Sequence, residues 1–319
     1  ATYLRPITPV VILPAEPTGL HIGNFQITNS MLATLLTDLV LLLMAFGAWR
    51  FSRKGSLVPR GFYSAFEAIV EFLWNAVEGS AGKKWGKRMF PIVATIFLLV
   101  LTANMVKLFP GFESIGRLEQ MHKPGTAYAP EHLFDLGGLA VYSLDKGKLI
   151  SIKAEDVESG EDEALAAEGE SHSGEELCTA CEVIPFLRGS ATDLNFTFAL
   201  AITAVVMTQV FGVWAQGGRY FQKFVPIKKL ISGGLFGLID FGVGFLEIIL
   251  EFAKILSFGF RLFGNIFAGA LLLSIIGVLV PVLLPPGLYL FEVFFGAIQA
   301  YVFFLLATVF ISGALESHH

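Results

Sequence analysis

The sequence predicts an all-α integral membrane protein with about five transmembrane segments, and three observations lead to this fold class. The chain is 54% hydrophobic and only 15% charged, whereas a soluble domain usually carries about 25% charged residues. Its mean hydropathy is +0.67. It also contains several apolar runs that reach the roughly 20 residues a helix needs to cross a bilayer.

The apolar runs give the positions of the expected membrane helices. Three of them have nearly the length of a single crossing and lie at residues 28–49, 89–109 and 194–216. Two longer runs, at 231–283 and 286–313, predict two long tilted helices. The run 231–283 exceeds one perpendicular crossing, so it predicts either one strongly tilted helix or a helix followed by a re-entrant piece.

An amphipathic helix is predicted at residues 60–81, between the first two spans. Apolar residues recur there on one helical face, while Glu67, Glu71 and Glu78 lie elsewhere. A helix with this pattern lies along the membrane surface rather than across it.

Lysine and arginine predict the orientation, because cytoplasmic loops carry an excess of both. The connections 50–88 and 217–230 are basic and should be cytoplasmic. Five crossings then put the N-terminus outside and the C-terminus in the cytoplasm. Residues 1–20 show no basic region followed by an apolar run, so no signal peptide is expected there.

This orientation divides the chain into five parts. They are an extracytoplasmic N-terminal segment (1–26), a two-helix part with the interfacial helix (27–111), an extracytoplasmic acidic insert (112–188), a three-helix part (189–315) and a C-terminal tail (316–319).

The insert is expected to contain a β-hairpin followed by an acidic loop. The runs 140–144 and 148–154 flank the turn signal Asp-Lys-Gly at 145–147, which predicts the hairpin. The stretch 155–176 is rich in acids and predicts a solvated loop. One hypothesis is that it concentrates cations near the outer mouth of the protein, and simple solvation is the alternative.

Two cysteines in the insert, Cys178 and Cys181, form a lone CxxC motif. Three interpretations fit it: a disulfide in an oxidising outer space, part of a zinc site with His172, or two unpaired thiols.

Charged side chains at bilayer depth are costly, so each one in the run 231–283 requires a reason. At about 100° per residue, four other polar residues fall within 40° of Glu247 on the helix. This polar stripe consists of Glu247, Glu251, Lys254, Arg261 and Asn265. Small residues in the same run, Ser257 among them, would let another helix approach closely. In the last run, Glu292 and Gln299 also share a face.

Arg261 has no acid three or four residues away on its own helix, and an arginine does not release its proton inside a protein. It therefore implies a carboxylate supplied from elsewhere, or water. Glu251 and Lys254 are different, because pairing with each other in a static bundle explains them as well as a role in transport does.

The segment LSFGFRLFGNIFAGA (256–270) resembles the signature of subunit a of F-type ATP synthase. The family's essential arginine corresponds to Arg261, and Asn265 matches the family's asparagine in the same run. Upstream, Glu247 and Lys254 stand at the family's positions.

The resemblance extends to the rest of the chain, about 27–110 and 185–315. In FEVFFGAIQAYVFF, Gln299 matches the family's glutamine. Earlier agreement is found in PRGFYSAFEAIVEF, NMVKLFPG and TDLNFTFALA.

The chain departs from the family pattern at three positions. Some members carry a Glu just after the RLFGN run, where this chain has Ala270, and a His seven residues before the glutamine, where it has Glu292. One acid is thus exchanged between neighbouring helices, so we assign the outer-channel role to Glu292. Lys107 stands where the family is often neutral or acidic.

The resemblance implies a proton-conducting stator subunit with two offset half-channels, which couples proton flow to rotation of a ring of c subunits. Arg261 would separate an outer set of polar residues, Asn265 and Glu292, from an inner set formed by Glu247, with Glu251 as a further candidate. The candidate residues for proton translocation are Arg261, Asn265, Glu292, Gln299, Glu247, Glu251, Lys254 and Ser257.

The implied partners are the c-ring at the Arg261 face, the b subunits of the peripheral stalk, and membrane lipid, in the inner membrane of a bacterium. We expect no cofactor, no metal, no nucleic acid and no ATP-hydrolysing site in this chain. Two alternatives remain. The first is a secondary ion transporter, although such proteins usually show internal repeats and none is evident in this sequence. The second is a structural subunit of another membrane complex, which would not need a lone arginine between acids.

Overall fold

A computed structural model describes ten stretches of the chain: residues 15–23, 25–53, 62–109, 111–113, 115–120, 125–136, 139–152, 181–224, 234–280 and 283–315. These stretches do not include the acidic stretch 155–176, Cys178, His172 or the tail 316–319. The expectations that concern those residues therefore stay predictions.

Five long helices make up most of the described chain. They are α1 (Asn29–Ser52), α2 (Phe62–Val106), α3 (Leu194–Gln216), α4 (Gly234–Leu279) and α5 (Leu284–Leu315). Among the described residues, four helices are long and apolar enough to cross a membrane: Asn29–Phe51, Ser64–Val106, Leu194–Phe221 and Leu284–Leu315. The predicted fold class, a helical integral membrane protein, is confirmed.

Helix α4 is not one of those four, although it is the longest, with 46 residues. It carries five charged side chains in its first two thirds. It runs from Gly234 to Leu279 without a break. Of the two alternatives predicted for the run 231–283, the structure therefore has the single helix and not the helix followed by a re-entrant piece. At 1.5 Å per residue it is about 69 Å long, roughly twice the 30 Å of a bilayer's hydrocarbon core.

Helix α2 consists of two helical parts joined at a kink. Gly82, with φ 69° and ψ 166°, is the one residue inside the helix with a non-helical backbone. This conformation is essentially restricted to glycine. The part before the kink corresponds to the interfacial helix predicted at 60–81, and the part after it, through Val106, corresponds to the second predicted span.

The core of the bundle lies where α2, α3, α4 and α5 meet. Its largest fully buried side chains include Leu73, Met89, Leu262, Phe303 and Phe304. Hydrogen bonds join the end of α5 to two other helices. Ser312 Oγ donates to the Ser80 carbonyl of α2 at 2.5 Å, and Gln216 Nε2 of α3 donates to the Ala314 carbonyl at 3.0 Å.

The first helix is joined to the bundle at one end. Asp193 accepts a hydrogen bond from Ser30 Oγ at 2.6 Å with one carboxylate oxygen. With the other it caps the start of α3, accepting from the Asn195 backbone N–H at 2.9 Å. The remainder of α1 exposes large apolar side chains, among them Leu42 and Phe46, as expected of a helix that faces lipid or a partner.

In the described part of the chain, six strands form two small antiparallel sheets. Strands β1 (Pro17–Ile22) and β2 (Phe25–Thr28) pair before α1. Strands β3 (Gly116–Gln120), β4 (Gly125–Leu136), β5 (Leu139–Ile152) and β6 (Cys181–Pro185) form the second sheet in the order β3-β6-β4-β5.

The insert does contain a hairpin, but its predicted position was wrong. The hairpin is formed by β4 and β5, and residues 145–147 lie inside β5 instead of turning the chain. The register shifts there, since Ala129 pairs with Asp145 and Tyr128 pairs with Leu149. A glycine-containing turn signal inside a long strand has therefore produced a bulge, which is a common use of glycine within strands.

Cys181 lies on β6, is fully buried and is disulfide-bonded. The chain contains only one other cysteine. The bond at Cys181 agrees with the disulfide interpretation of the CxxC motif, whereas Cys178 and His172 lie outside the described residues.

We predict that Gly82→Ala destabilises the protein by about 1–3 kcal/mol, because alanine cannot adopt this backbone conformation without strain. The measurement is the midpoint of thermal unfolding of the purified complex. Gly79→Ala is the matched control: Gly79 is helical, and a Cβ there would meet no atom within 4 Å, so this variant should unfold no earlier than the parent. Equal midpoints for the two variants would contradict the role given to the kink.

Candidate functional site

Arg261 lies on the exposed side of α4 and has no hydrogen bond or ion pair with any described residue. The residues that flank it on the same side are small and follow one another at helical spacing: Ala253, Ser257, Gly264 and Ala268. A Cβ at Gly264 would meet nothing within 4 Å. The arginine therefore stands in a shallow strip that another helix can approach closely.

A cavity of about 180 Å³ lies between α4 and α5, next to this strip. Its walls are mostly apolar, and its polar side chains are Asn265 from α4 and Glu292 from α5. The Glu292 carboxylate packs against Gly269, where a Cβ would lie 3.3 Å from Glu292 Oε1. The two residues predicted for the outer set thus line one cavity.

Glu292 is ion-paired with Lys107, and Lys107 Nζ donates a hydrogen bond to Glu292 Oε1. Only 6% of the lysine side chain and 11% of the glutamate side chain are exposed. Lys107 is the first residue after α2, so three separate parts of the chain contribute to the surroundings of this carboxylate.

Two buried amide side chains extend the polar region towards the core. Asn104 Nδ2 donates to the Gly296 carbonyl at 3.1 Å, which joins α2 to α5. Asn104 Oδ1 and Gln299 Nε2 are buried and have no hydrogen-bond partner in the described part of the chain. A buried polar atom without a partner costs about 1–3 kcal/mol, and ordered water commonly satisfies such groups.

The inner set lies on α4 before Arg261. Lys254 Nζ donates to Glu251 Oε1 at 2.8 Å and lies 4.9 Å from the centre of the Phe310 ring. Glu251 and Lys254 therefore pair with each other, as the static alternative expected. Glu247 is partly buried, whereas Ser257 is exposed.

Three residues around these groups were not among the sequence-predicted site residues. Tyr220 follows α3, interacts electrostatically with Glu247 and Glu251, and donates from its hydroxyl to Gln209 Oε1 at 2.7 Å. Lys107 and Asn104 lie beside Glu292 and Gly296. Of these three residues, only Lys107 could have been found from the sequence, because it places a positive charge at a position where the family is often neutral or acidic.

Fold and site together define a multi-pass membrane protein with polar side chains concentrated on its two C-terminal helices. The family model of the ATP synthase A chain matches residues 31–312. The chain therefore belongs to the ATP synthase A chain family, whose members serve as the stator of the Fo proton channel.

Relatives from several bacteria agree with this membership. ATP synthase subunit a of Moorella thermoacetica is 25% identical over 300 residues, which cover 93% of this chain and 95% of the relative. ATP synthase subunit a 1 of Syntrophotalea carbinolica is 28% identical over 301 residues, 94% and 93% of the two chains. ATP synthase subunit a of Mycobacterium bovis is 26% identical over 310 residues, 95% and 94% of the two chains.

We predict that Gly269→Val lowers ATP synthesis by the assembled complex about tenfold or more. A larger side chain would displace the Glu292 carboxylate and narrow the cavity, and displacing a positioned group by about 1 Å can cost roughly a hundredfold in rate. The measurement is ATP synthesis per assembled complex in liposomes.

The control for this variant is Gly313→Ala on the same helix as Glu292. A Cβ at Gly313 would meet nothing within 4 Å, so its activity should match that of the parent. Full activity of Gly269→Val at normal assembly would show that the contact between Gly269 and Glu292 has no bearing on transport.

Proposed function

We propose that this chain provides two offset half-channels for protons to a ring of c subunits and thereby couples proton flow to rotation. The observation that carries the proposal is the Arg261 side chain, exposed on α4 without a partner in the described residues. The remaining candidate residues lie on either side of it along α4 and α5.

The charge of Arg261 is permanent, because a guanidinium does not lose its proton inside a protein. A charge in the hydrocarbon layer is expensive unless an opposite charge or water meets it. A carboxylate on a neighbouring chain satisfies this requirement, and the strip of small residues around Arg261 gives a helix of that chain room to approach. We therefore assign the c-ring to this face.

The outer half-channel is assigned to the cavity lined by Asn265 and Glu292. A proton from the outer side would bind the Glu292 carboxylate and pass to a ring carboxylate near Arg261. Gln299 lies two helical turns, about 10 Å, deeper than Glu292. Asn104 Oδ1 and Gln299 Nε2, which have no hydrogen-bond partner among the described residues, support a hydrated route at this level.

The inner half-channel is assigned to Glu247, Glu251, Lys254 and Ser257. A ring carboxyl group that has turned to this side would lose its proton towards the cytoplasm. Arg261 favours the ionised form of that carboxyl group, as a nearby cation does. The same cation repels protons, which would keep the two half-channels from connecting directly.

The proposed location is the inner membrane of a bacterium, with the N-terminus outside and the C-terminus in the cytoplasm. Two observations support this orientation. The disulfide of Cys181 fits an oxidising outer compartment for the insert. At the opposite end, Arg88 lies 4.5 Å from the Trp214 ring centre and 5.2 Å from that of Trp85, an aromatic and basic grouping typical of the cytoplasmic interface.

The proposed partners in the assembly are the c subunits, the b subunits of the peripheral stalk, and lipid. The outward face of α1 is a surface available to such a subunit or to lipid, since most of its large apolar side chains are exposed.

We predict that Arg261→Ala abolishes ATP synthesis driven by a proton gradient while the complex still assembles, because the guanidinium is exposed and is not part of the packed core. The measurement is ATP synthesis and ATP-driven proton pumping by the reconstituted complex. Arg219→Ala is the matched control, since Arg219 is exposed and lies outside the polar stripe, and it should retain activity. Normal pumping by Arg261→Ala would refute the proposed function.

A further inference from the structure

We propose that Lys107 is the positioning residue of the outer half-channel, holding the Glu292 carboxylate in its ionised form at the wall of the cavity. This inference rests on the proposed function, because it names a residue that acts through a member of the outer set. The observation behind it is the buried ion pair between Lys107 and Glu292.

The surroundings of Lys107 are built to keep its side chain in place. A Cβ at Gly189 would lie 3.1 Å from Lys107 Cδ, so the lysine stem packs closely over this glycine. The Gly189 backbone N–H in turn donates to Glu113 Oε1 at 3.1 Å. The lysine is thus held between the end of α2 and the segment before α3, with its ammonium directed at α5.

The opposite side of the pair faces α4 and the cavity. Glu292 touches Gly269 of α4, and Asn265 lies on the same cavity wall. Neither of these residues is charged, and α2 contributes the uncharged Asn104 nearby through its bond to Gly296. The lysine is therefore the one cation that pairs with Glu292 among the described residues.

Two further titratable groups belong to this neighbourhood. Tyr289 lies one turn before Glu292 on α5 and interacts electrostatically with both Glu292 and Glu113. Tyr289 and Glu113 both become negative when they lose a proton. Neither of them can therefore replace the lysine as the counter-ion of Glu292.

The electrostatics of the pair determine what Lys107 does. A carboxyl group taken out of water favours its neutral form, whereas a cation in contact favours the ionised form. The Lys107 ammonium in contact with Glu292 acts in the second sense, and a neutral side chain at position 107 would leave the buried carboxyl group without that cation.

The ion pair can re-form after each proton transfer. An incoming proton bonds to a Glu292 carboxylate oxygen and weakens the attraction between Glu292 and the Lys107 ammonium. No other covalent bond forms or breaks in this step. When that proton passes to a ring carboxylate, Glu292 becomes ionised again and the ion pair with Lys107 re-forms.

The experiment measures how ATP synthesis depends on the pH of the outer side. The intact complex is reconstituted in liposomes with its outer side facing the lumen, and the lumenal pH is varied. The external pH and the total driving force are held constant by adjusting the membrane potential. The wild type, Lys107→Met and Lys107→Arg are compared, together with Lys107→Gln as a second neutral variant in case methionine impairs assembly.

We expect the midpoint of the outer-side pH profile to move to higher pH by roughly 1 to 3 units in Lys107→Met and Lys107→Gln, the usual effect of one close cation on a carboxyl group. Lys107→Arg, which keeps the charge, should stay close to the wild-type midpoint. A purely structural lysine would instead lower the amount of assembled complex and leave the midpoint of the remainder unchanged, and that result would overturn the inference.

A paired variant tests whether Lys107 acts through Glu292. Glu292→Gln leaves the lysine ammonium buried without its partner and should reduce assembly, whereas Glu292→Gln combined with Lys107→Met should restore assembly without restoring the rate. When Glu292→Gln is already present, adding Lys107→Met should not shift the pH midpoint. A shift as large as the one that Lys107→Met causes alone would count against the inference.

Failure of this inference is distinguishable from failure of the proposed function. If Arg261→Ala abolishes coupled synthesis while Lys107→Met leaves the pH midpoint unchanged, only the role of Lys107 is refuted. If Arg261→Ala retains coupled synthesis, the proposed function itself fails.

Discussion

A charge in the hydrocarbon layer must be met by an opposite charge, a hydrogen bond or water, and this constraint governs how α2, α4 and α5 are arranged. Lys107 meets Glu292, and Lys254 meets Glu251. Arg261 differs from both lysines, because the described part of the chain gives it no partner. Lys107 and Lys254 are therefore paired inside the bundle, whereas Arg261 is directed away from it.

Much of the fold could be predicted because it follows from local patterns. Apolar runs and their lengths were sufficient to locate the long helices, and the helical part before Gly82 was visible as a change in periodicity that ends at this residue. Arg261 could be singled out because no acid lies within one helical turn of it. The 3.6-residue period of a helix is also enough to group Arg261, Asn265 and Glu247 on one side of α4.

Features that depend on contacts between distant segments were beyond such patterns. The pairing of Lys107 with Glu292 joins residues 185 positions apart, and nothing local to either residue indicates the other. The hairpin was misplaced because a turn signal and a bulge have the same local sequence, and the pairing with β4 decides between them. Tyr220 was missed because its importance comes only from its position beside Glu247 and Glu251.

The length of α4 has a geometric consequence for the proposed rotor. A helix of about 69 Å contained within about 30 Å of hydrocarbon would advance only about 0.65 Å per residue across the membrane and about 1.35 Å within its plane. The separation of about 21 Å between Glu247 and Arg261 along the axis would then be mostly lateral. Position along α4 would thus set where on the ring's circumference a carboxyl group is met, more than how deep in the bilayer it is.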